Sequence, residues 1–169
     1  RMGCMPMKQK KVFIMSGPPG SGKSTWIRER MTSNDEWISR DNVRFSIVRE
    51  DEEYFSHEDE VFDTFINYIN QTLEKPEVEY VFIDATHINY KSRHNTLSKV
   101  RMKNVEELNC VCFTTPLAVC LERNRLREGR ARVPDVAIHN MVKAFDMPTE
   151  KENFTHVFVV DKDGVTTEV

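Results

Sequence analysis

Val12-Phe13-Ile14-Met15-Ser16-Gly17-Pro18-Pro19-Gly20-Ser21-Gly22-Lys23-Ser24-Thr25 is the stretch on which the fold turns. Its first four residues are apolar without alternation, with lysines before and Ser16-Gly17 after, the pattern of a strand buried on both faces. Gly17 to Thr25 then contain a match to GxxxxGK[ST]. The glycines let the backbone curl so that successive N–H groups point inward at phosphate oxygens. A helix opening at Lys23 adds its unpaired N–H groups and the positive end of its dipole. Lys23 is expected on the β and γ phosphates, and the Ser24 hydroxyl on a magnesium ion. Gly17, Pro18, Pro19, Gly20, Ser21, Gly22, Lys23, Ser24 and Thr25 therefore form the expected cradle of a nucleoside triphosphate. A Gly-rich turn can give the bare pattern by chance; lying between an apolar strand and a helix is what gives it meaning.

Outward from this loop, strand and helix patterns alternate. Lys23 to Met31 reads as a helix, Trp37-Ile38-Ser39 as a weak strand, and Asp41 suits the cap of a short helix through about Val48. After a polar stretch from Arg49 to Asp59, the residues Val61, Phe62, Phe65, Ile66, Ile69 and Leu73 mark one face of a long helix ending before Pro76. Tyr80–Ile83 and Cys110–Phe113 read as strands, with a helix over Asn89–Lys103 between them. Pro116 starts a helix to about Glu128, closed by Gly129, and Pro134 opens another through Phe145. Val157–Val160 is the last central strand, and Asp163-Gly164 a hairpin turn into an edge strand at Val165-Thr166-Thr167. The alternation predicts an α/β fold with a parallel sheet flanked by helices, the three-layer sandwich of P-loop NTPases.

The 169 residues suit one domain, taken as 11–169, with 1–10 set aside as a tail or remnant. Lys and Arg number 24 against 27 Asp and Glu, a net charge of -3, so any attraction to nucleic acid must be local. No apolar run approaches the roughly 18 residues of a membrane helix. A secretory leader has no support at the amino end, and Met2-Gly3 lacks the Ser or Thr of a myristoylation signal, Met7 standing in its place. Cys4, Cys110, Cys112 and Cys120 show no metal-ligand spacing, and Cys110 and Cys112 read as small buried residues on one strand face. A cytoplasmic location is the expectation. The five histidines have no mutual spacing and read as surface or core residues.

Three further groups carry chemistry. Asp84 ends the Tyr80–Ile83 strand, where it can order magnesium or hold Ser24. Ala85 follows it where motor ATPases carry a water-activating glutamate, and a guanine-reading NKxD is absent. Both absences favour phosphoryl transfer to an acceptor over hydrolysis. In Ser39-Arg40-Asp41-Asn42-Val43-Arg44, Asp41 and Arg44 are three apart and share a helix face. One can take a hydroxyl proton while the other holds an acceptor phosphate; Asp41 can equally be a plain N-cap. Arg123 to Arg132 holds five arginines, of which Arg123 and Arg127 present together, suited to closing over a γ-phosphoryl group as a lid. A solvated basic face is the alternative.

GPPGSGKSTW, SRDNVR, FIDAT and LERNRLREGRARVP occur in the order seen in phage-type polynucleotide 5′-kinases, and the chain resembles that family from about Val12 to Phe145. The RDxxR block (Arg40, Asp41, Arg44) is the discriminating one. The resemblance implies a nucleotide-kinase-like fold with an arginine-rich lid and transfer of the γ-phosphoryl group of ATP to the 5′-hydroxyl of a DNA or RNA end. It implies ATP on Lys23 and Arg123, magnesium on Ser24 with Asp84, and Asp41 as general base. Arg44 is implied on an acceptor 3′-phosphate, and Arg123 and Arg127 as lid arginines. The lid is one residue longer after Arg127. No room remains for the phosphatase domain of the two-domain phage enzymes, and Arg49 to Glu60 is more acidic than a nucleic-acid channel favours. That acidity keeps open a small acceptor (a nucleoside, a nucleotide, another metabolite alcohol or a modified base in DNA). A third reading is an ATP-binding module without transfer.

Overall fold

A computed structural model describes residues 5–169. The readings on Met2-Gly3 and Cys4 lie outside the described residues. The elements run β1 (Lys10–Ser16), α1 (Lys23–Arg30), β2 (Glu36–Ser39), α2 (Arg40–Ile47), α3 (Glu58–Thr72) and β3 (Tyr80–Asp84). They continue with α4 (Tyr90–Leu97), β4 (Val105–Phe113), α5 (Leu117–Arg125), α6 (Asp135–Ala144), β5 (His156–Val160) and β6 (Thr166–Glu168). The strands form one sheet in the order β2-β3-β1-β4-β5-β6. All neighbours pair in parallel except β5 and β6, which are antiparallel.

Both faces of the sheet are covered, because side chains of successive strand residues point to opposite sides. Val12, Ile14, Val81, Ile83, Cys110 and Cys112 pack with Val43 of α2 and Val61, Phe65 and Ile69 of α3. Met15, Phe82, Val111 and Phe113 face the other way onto Trp26 and Ile27 of α1. The Trp26 ring stands edge-on to Phe82 and Phe113 with centroids 6.2 and 6.4 Å apart. Aromatic contacts of this kind add to the burial energy and fix orientation, so α1 is anchored directly behind the loop that precedes it. Cys110 and Cys112 lie side by side on one face, Sγ to Sγ 3.7 Å.

Several boundaries differ from the sequence expectation. β1 starts at Lys10, inside the stretch set aside as tail, and Lys8 donates its N–H to the Pro76 carbonyl at 3.0 Å. The Lys10 side chain is buried and its ammonium donates to the carbonyls of Lys8 and Lys75, both at 2.7 Å. β4 begins at Val105, five residues early, because pairing with β1 overrides its glutamates, one of which (Glu107) meets Lys11 at 3.5 Å. The helix expected over Asn89–Lys103 stops at Leu97; Asn70 of α3 then binds the Lys99 carbonyl and the Arg101 N–H and turns the chain back. α5 ends at Arg125 rather than Glu128. Buried Asn124 hydrogen-bonds both the N–H and the carbonyl of Val133, so the chain after α5 folds back as a loop. α2 is capped by Ser39, whose hydroxyl accepts from the Asn42 N–H, and not by Asp41.

Candidate active site

A cleft of about 1110 Å³ opens at the carboxyl ends of the strands, where β1 and β3 deliver their following loops. Ligands of open α/β sheets bind at that edge. The volume exceeds that of an ordinary single-ligand pocket, so two ligands can meet in it. Its floor is the loop between β1 and α1.

That loop is held by its glycines. Gly20 has φ +79, and a Cβ there would sit 2.7 Å from the Cys120 carbonyl oxygen. Gly22 has φ +104 directly before α1. Both conformations are ones that only glycine adopts without strain. Pro19 through Thr25 line the cleft, whereas Gly17 and Pro18 stand back from it. Their carbonyls accept from the Lys23 ammonium at 2.9 and 2.8 Å. Lys23 is thus parked on its own loop, and burial draws its pKa below the usual lysine value against the pull of Asp84 and Asp41.

Asp84 ends β3 and is buried, and burial raises its pKa against the opposing charge of Lys23. Its Oδ2 accepts from Trp37 Nε1 at 2.9 Å. Ser24 lines the same cleft. One carboxylate and one hydroxyl beside a phosphate cradle suit magnesium, which keeps several waters and takes the rest of its ligands from phosphate. Among the described residues no group of three or more His, Cys, Asp or Glu forms a metal cage.

Facing the loop is the amino end of α2. Asp41 and Arg44 do share a face, with Arg44 Nη1 donating to Asp41 Oδ1 at 2.6 Å. Asp41 stays half-exposed to the cleft, while Arg44 is buried. Tyr54 donates its hydroxyl to the same Oδ1 and accepts from Arg44, both at 3.0 Å. Burial, helped by the Asp41 charge, pushes the Tyr54 pKa up to about 12. Glu58, the first residue of α3, takes Arg44 Nε at 2.8 Å and Nη2 at 3.1 Å, and Arg40 Nη2 at 3.1 Å. Four of the five N–H groups of the Arg44 guanidinium are therefore engaged, which leaves one on Nη2. Tyr54 and Glu58 escape the sequence reading because nothing in an acidic run marks two members as partners of a residue ten or more positions earlier.

Three of the seven acids between Arg49 and Glu60 have partners close by. Arg49 pairs with Asp51 at 3.2 Å, His57 with Glu52 at 2.5 Å, and Glu58 with the two arginines of α2.

Of the arginine cluster, Arg123 and Arg127 both line the cleft, Arg123 from α5 and Arg127 from the loop after it, not from one helix face as their spacing suggested. Arg123 donates to the Gly20 carbonyl at 3.2 Å and to the Lys162 carbonyl at 2.8 Å, linking the phosphate loop to the β5–β6 turn. Asp161 to Gly164 of that turn form the outer wall, a role its hairpin pattern did not reveal. Arg125 and Arg132 are exposed. Arg130 leaves the lid altogether: it donates to the Val48 carbonyl and lies over the Phe45 ring, 5.0 Å from the centroid.

A family model described as an AAA domain matches residues 12–148. Among solved structures the chain is similar to one from the Pnkp1/Rnl/Hen1 RNA repair complex, 19% identical with TM-score 0.65, over 81% of this chain and 44% of that one. It is similar to a fungal RNA kinase, 13% identical with TM-score 0.60, over 91% and 75%. A gluconokinase from Sinorhizobium meliloti is 17% identical with TM-score 0.55, over 91% and 83%. At these identities the likeness is one of fold, and the chain spans less than half the length of the RNA repair protein.

Proposed function

The chain belongs to the AAA domain family whose model matches residues 12–148, and from that premise we propose that it transfers the γ-phosphoryl group of ATP to an alcohol, the 5′-hydroxyl of a nucleic-acid end. The observation that carries this reading is the Asp41 carboxylate. It faces the cleft across from Lys23, with Oδ1 fixed by Arg44 and Tyr54. Among the described residues, no hydrogen bond falls on Oδ2. A general base needs one oxygen held and the other available.

In this mechanism the loop N–H groups and Lys23 cradle the triphosphate, Lys23 exchanging the Gly17 and Pro18 carbonyls for phosphate oxygens. Ser24, with Asp84 at hand, would hold magnesium, which would supply neutralising charge on the phosphates. Arg123 and Arg127 cover the transferring group and exclude water. The acceptor hydroxyl oxygen bonds to γ-phosphorus as the bond to the bridging oxygen of ADP breaks, and its proton passes to Asp41 Oδ2. Arg44 acts through Asp41; with one N–H of Nη2 left over, it can give a 3′-phosphate more than a single contact only by releasing Glu58, Tyr54 or Asp41. That crowding favours a second acceptor class, a small alcohol without a phosphate.

The test is transfer of labelled γ-phosphate from ATP with magnesium to a 5′-hydroxyl oligonucleotide, a nucleoside panel or no acceptor, with Asp41→Asn in parallel. Label on the oligonucleotide that disappears with Asp41→Asn is the expected result. Label confined to a small acceptor, or released only as free phosphate, overturns the nucleic-acid reading.

A further inference from the structure

The charged segment between α2 and α3 contains two adjacent aromatic residues, and the cleft receives both. Tyr54 and Phe55 line it beside Asp41, with Phe45 from α2 as a third ring. Tyr54 cannot turn: its hydroxyl is bound twice, and the Arg44 guanidinium lies over its ring at 4.6 Å. Phe55 stands edge-to-face on Tyr54, centroids 4.6 Å apart at 83°, with Arg44 5.5 Å from its own centroid. Phe45 closes the group at 6.3 Å from Tyr54 and is covered by Arg130. Of the three, Phe55 keeps a large open surface, 53% exposed.

A lone exposed phenylalanine is ordinary on a protein surface. This one is held by a ring that is itself fixed, and it lines the cleft next to the carboxylate that receives the acceptor. Of the neighbouring acids, Asp51 pairs with Arg49, Glu52 with His57, and Glu58 with Arg40 and Arg44, so Phe55 is an apolar face set in a segment that stays acidic. Four of the five N–H groups of Arg44 are engaged within the fold, so what Phe55 adds to this wall is stacking beside a nearly filled guanidinium. A flat ring fits an aromatic surface whatever its edge groups, and stacking is how end-binding proteins hold unpaired bases without reading sequence.

We infer that Phe55, braced by Tyr54 and Arg44, is the platform on which the first base of the acceptor stacks, making it the specificity residue for a base-bearing 5′ end. The inference rests on the function proposed above. It assigns the acceptor grip to the base and not to a phosphate.

The experiment measures transfer to two oligonucleotides that differ only in carrying a base or an abasic sugar at the 5′ terminus, with the parent, Phe55→Ala and Phe55→Trp. The parent is expected to show an acceptor KM roughly tenfold higher for the abasic end, the scale of one lost base–aromatic stack. Phe55→Ala should raise KM about tenfold for the normal end and add nothing for the abasic one, leaving kcat and the KM for ATP within about twofold. Phe55→Trp should stay near the parent. A 2-aminopurine at the 5′ terminus should be quenched on binding the parent and Phe55→Trp but not Phe55→Ala. Transfer that is equally fast with Phe55→Ala, or equally slowed for both ends, overturns the platform while leaving the kinase standing. Label on neither oligonucleotide with the parent overturns the underlying function, and the platform with it.

Discussion

Asp41 occupies the second position of α2, and the cap that a sequence reading could assign to it is made by Ser39 one turn boundary earlier. The cap and the proposed chemistry therefore fall on different residues at this corner. Asp41→Asn should cut transfer by roughly 10²–10⁴-fold, the usual contribution of a general base. It should cost no more than about 1 kcal/mol in urea unfolding, because its ion pair is half-exposed and Arg44 keeps Glu58. Ser39→Ala should instead lower stability by about 1 kcal/mol through loss of the cap. A second residue-scale effect belongs to His87, buried at φ +38 with Nδ1 on the Met15 carbonyl and Nε2 accepting from Thr96. Burial, reinforced by Arg40, Arg93 and Lys23 and opposed by the Met15 contact, lowers its pKa from 6.5 to about 3. The unfolded chain then binds a proton that the folded chain refuses, so stability falls as pH drops from about 6.5 toward 3. The loss from this group at pH 5 is about 2 kcal/mol. His87→Asn, which tolerates positive φ, should flatten unfolding free energy against pH in that window; an unchanged slope would place the acid sensitivity elsewhere.

At the scale of elements, the phosphate loop and α5 are built against each other. Gly20 approaches the Cys120 backbone so closely that no side chain fits, and Arg123 from the same helix donates to the Gly20 carbonyl. Gly20→Ala combines positive φ with a backbone clash and should destabilise by about 3 kcal/mol or more, with nucleotide affinity falling in parallel by calorimetric titration. The loop itself was legible because its glycines and lysine lie within nine residues of chain and act locally. The α2–α3 segment was not. Nothing in its run of acids marks Glu58 as the one that Arg40 and Arg44 enclose. The early end of α5 was likewise hidden, since it depends on one buried amide, Asn124, reaching Val133.

Across the whole molecule, the region after α6 is tied to the strand that feeds the cleft by Arg93, which is fully buried. It donates to Glu152 at 2.8 and 3.2 Å, to the Asp146 carboxylate at 2.6 Å and carbonyl at 3.0 Å, and reaches Ser16 Oγ at 3.4 Å. Glu152 is itself almost fully buried. Removing one member of such a pair leaves an uncompensated charge and typically costs 3–5 kcal/mol. Arg93→Met should therefore lower the melting temperature by about 10 °C for a domain of this size. Arg93→Met with Glu152→Gln together should recover part of that fall, since the stranded charge is gone. Equal melting of single and double variants would show that packing, not charge, sets the cost.

The alternation of apolar strands and amphipathic helices, and one loop of small residues between the first strand and helix, were enough to determine the layered parallel sheet and the glycine-rich loop at its edge. Both are written in contacts near in sequence or in a period that repeats along it. The tertiary structure alone decided which charges meet. Ser39 caps α2, Glu58 holds Arg44, Tyr54 holds Asp41, and Arg130 leaves the lid for Phe45. These pairings join residues up to 85 positions apart, across Phe45 and Arg130. Their energies depend on distance and burial in three dimensions, quantities that no local pattern of residue types encodes.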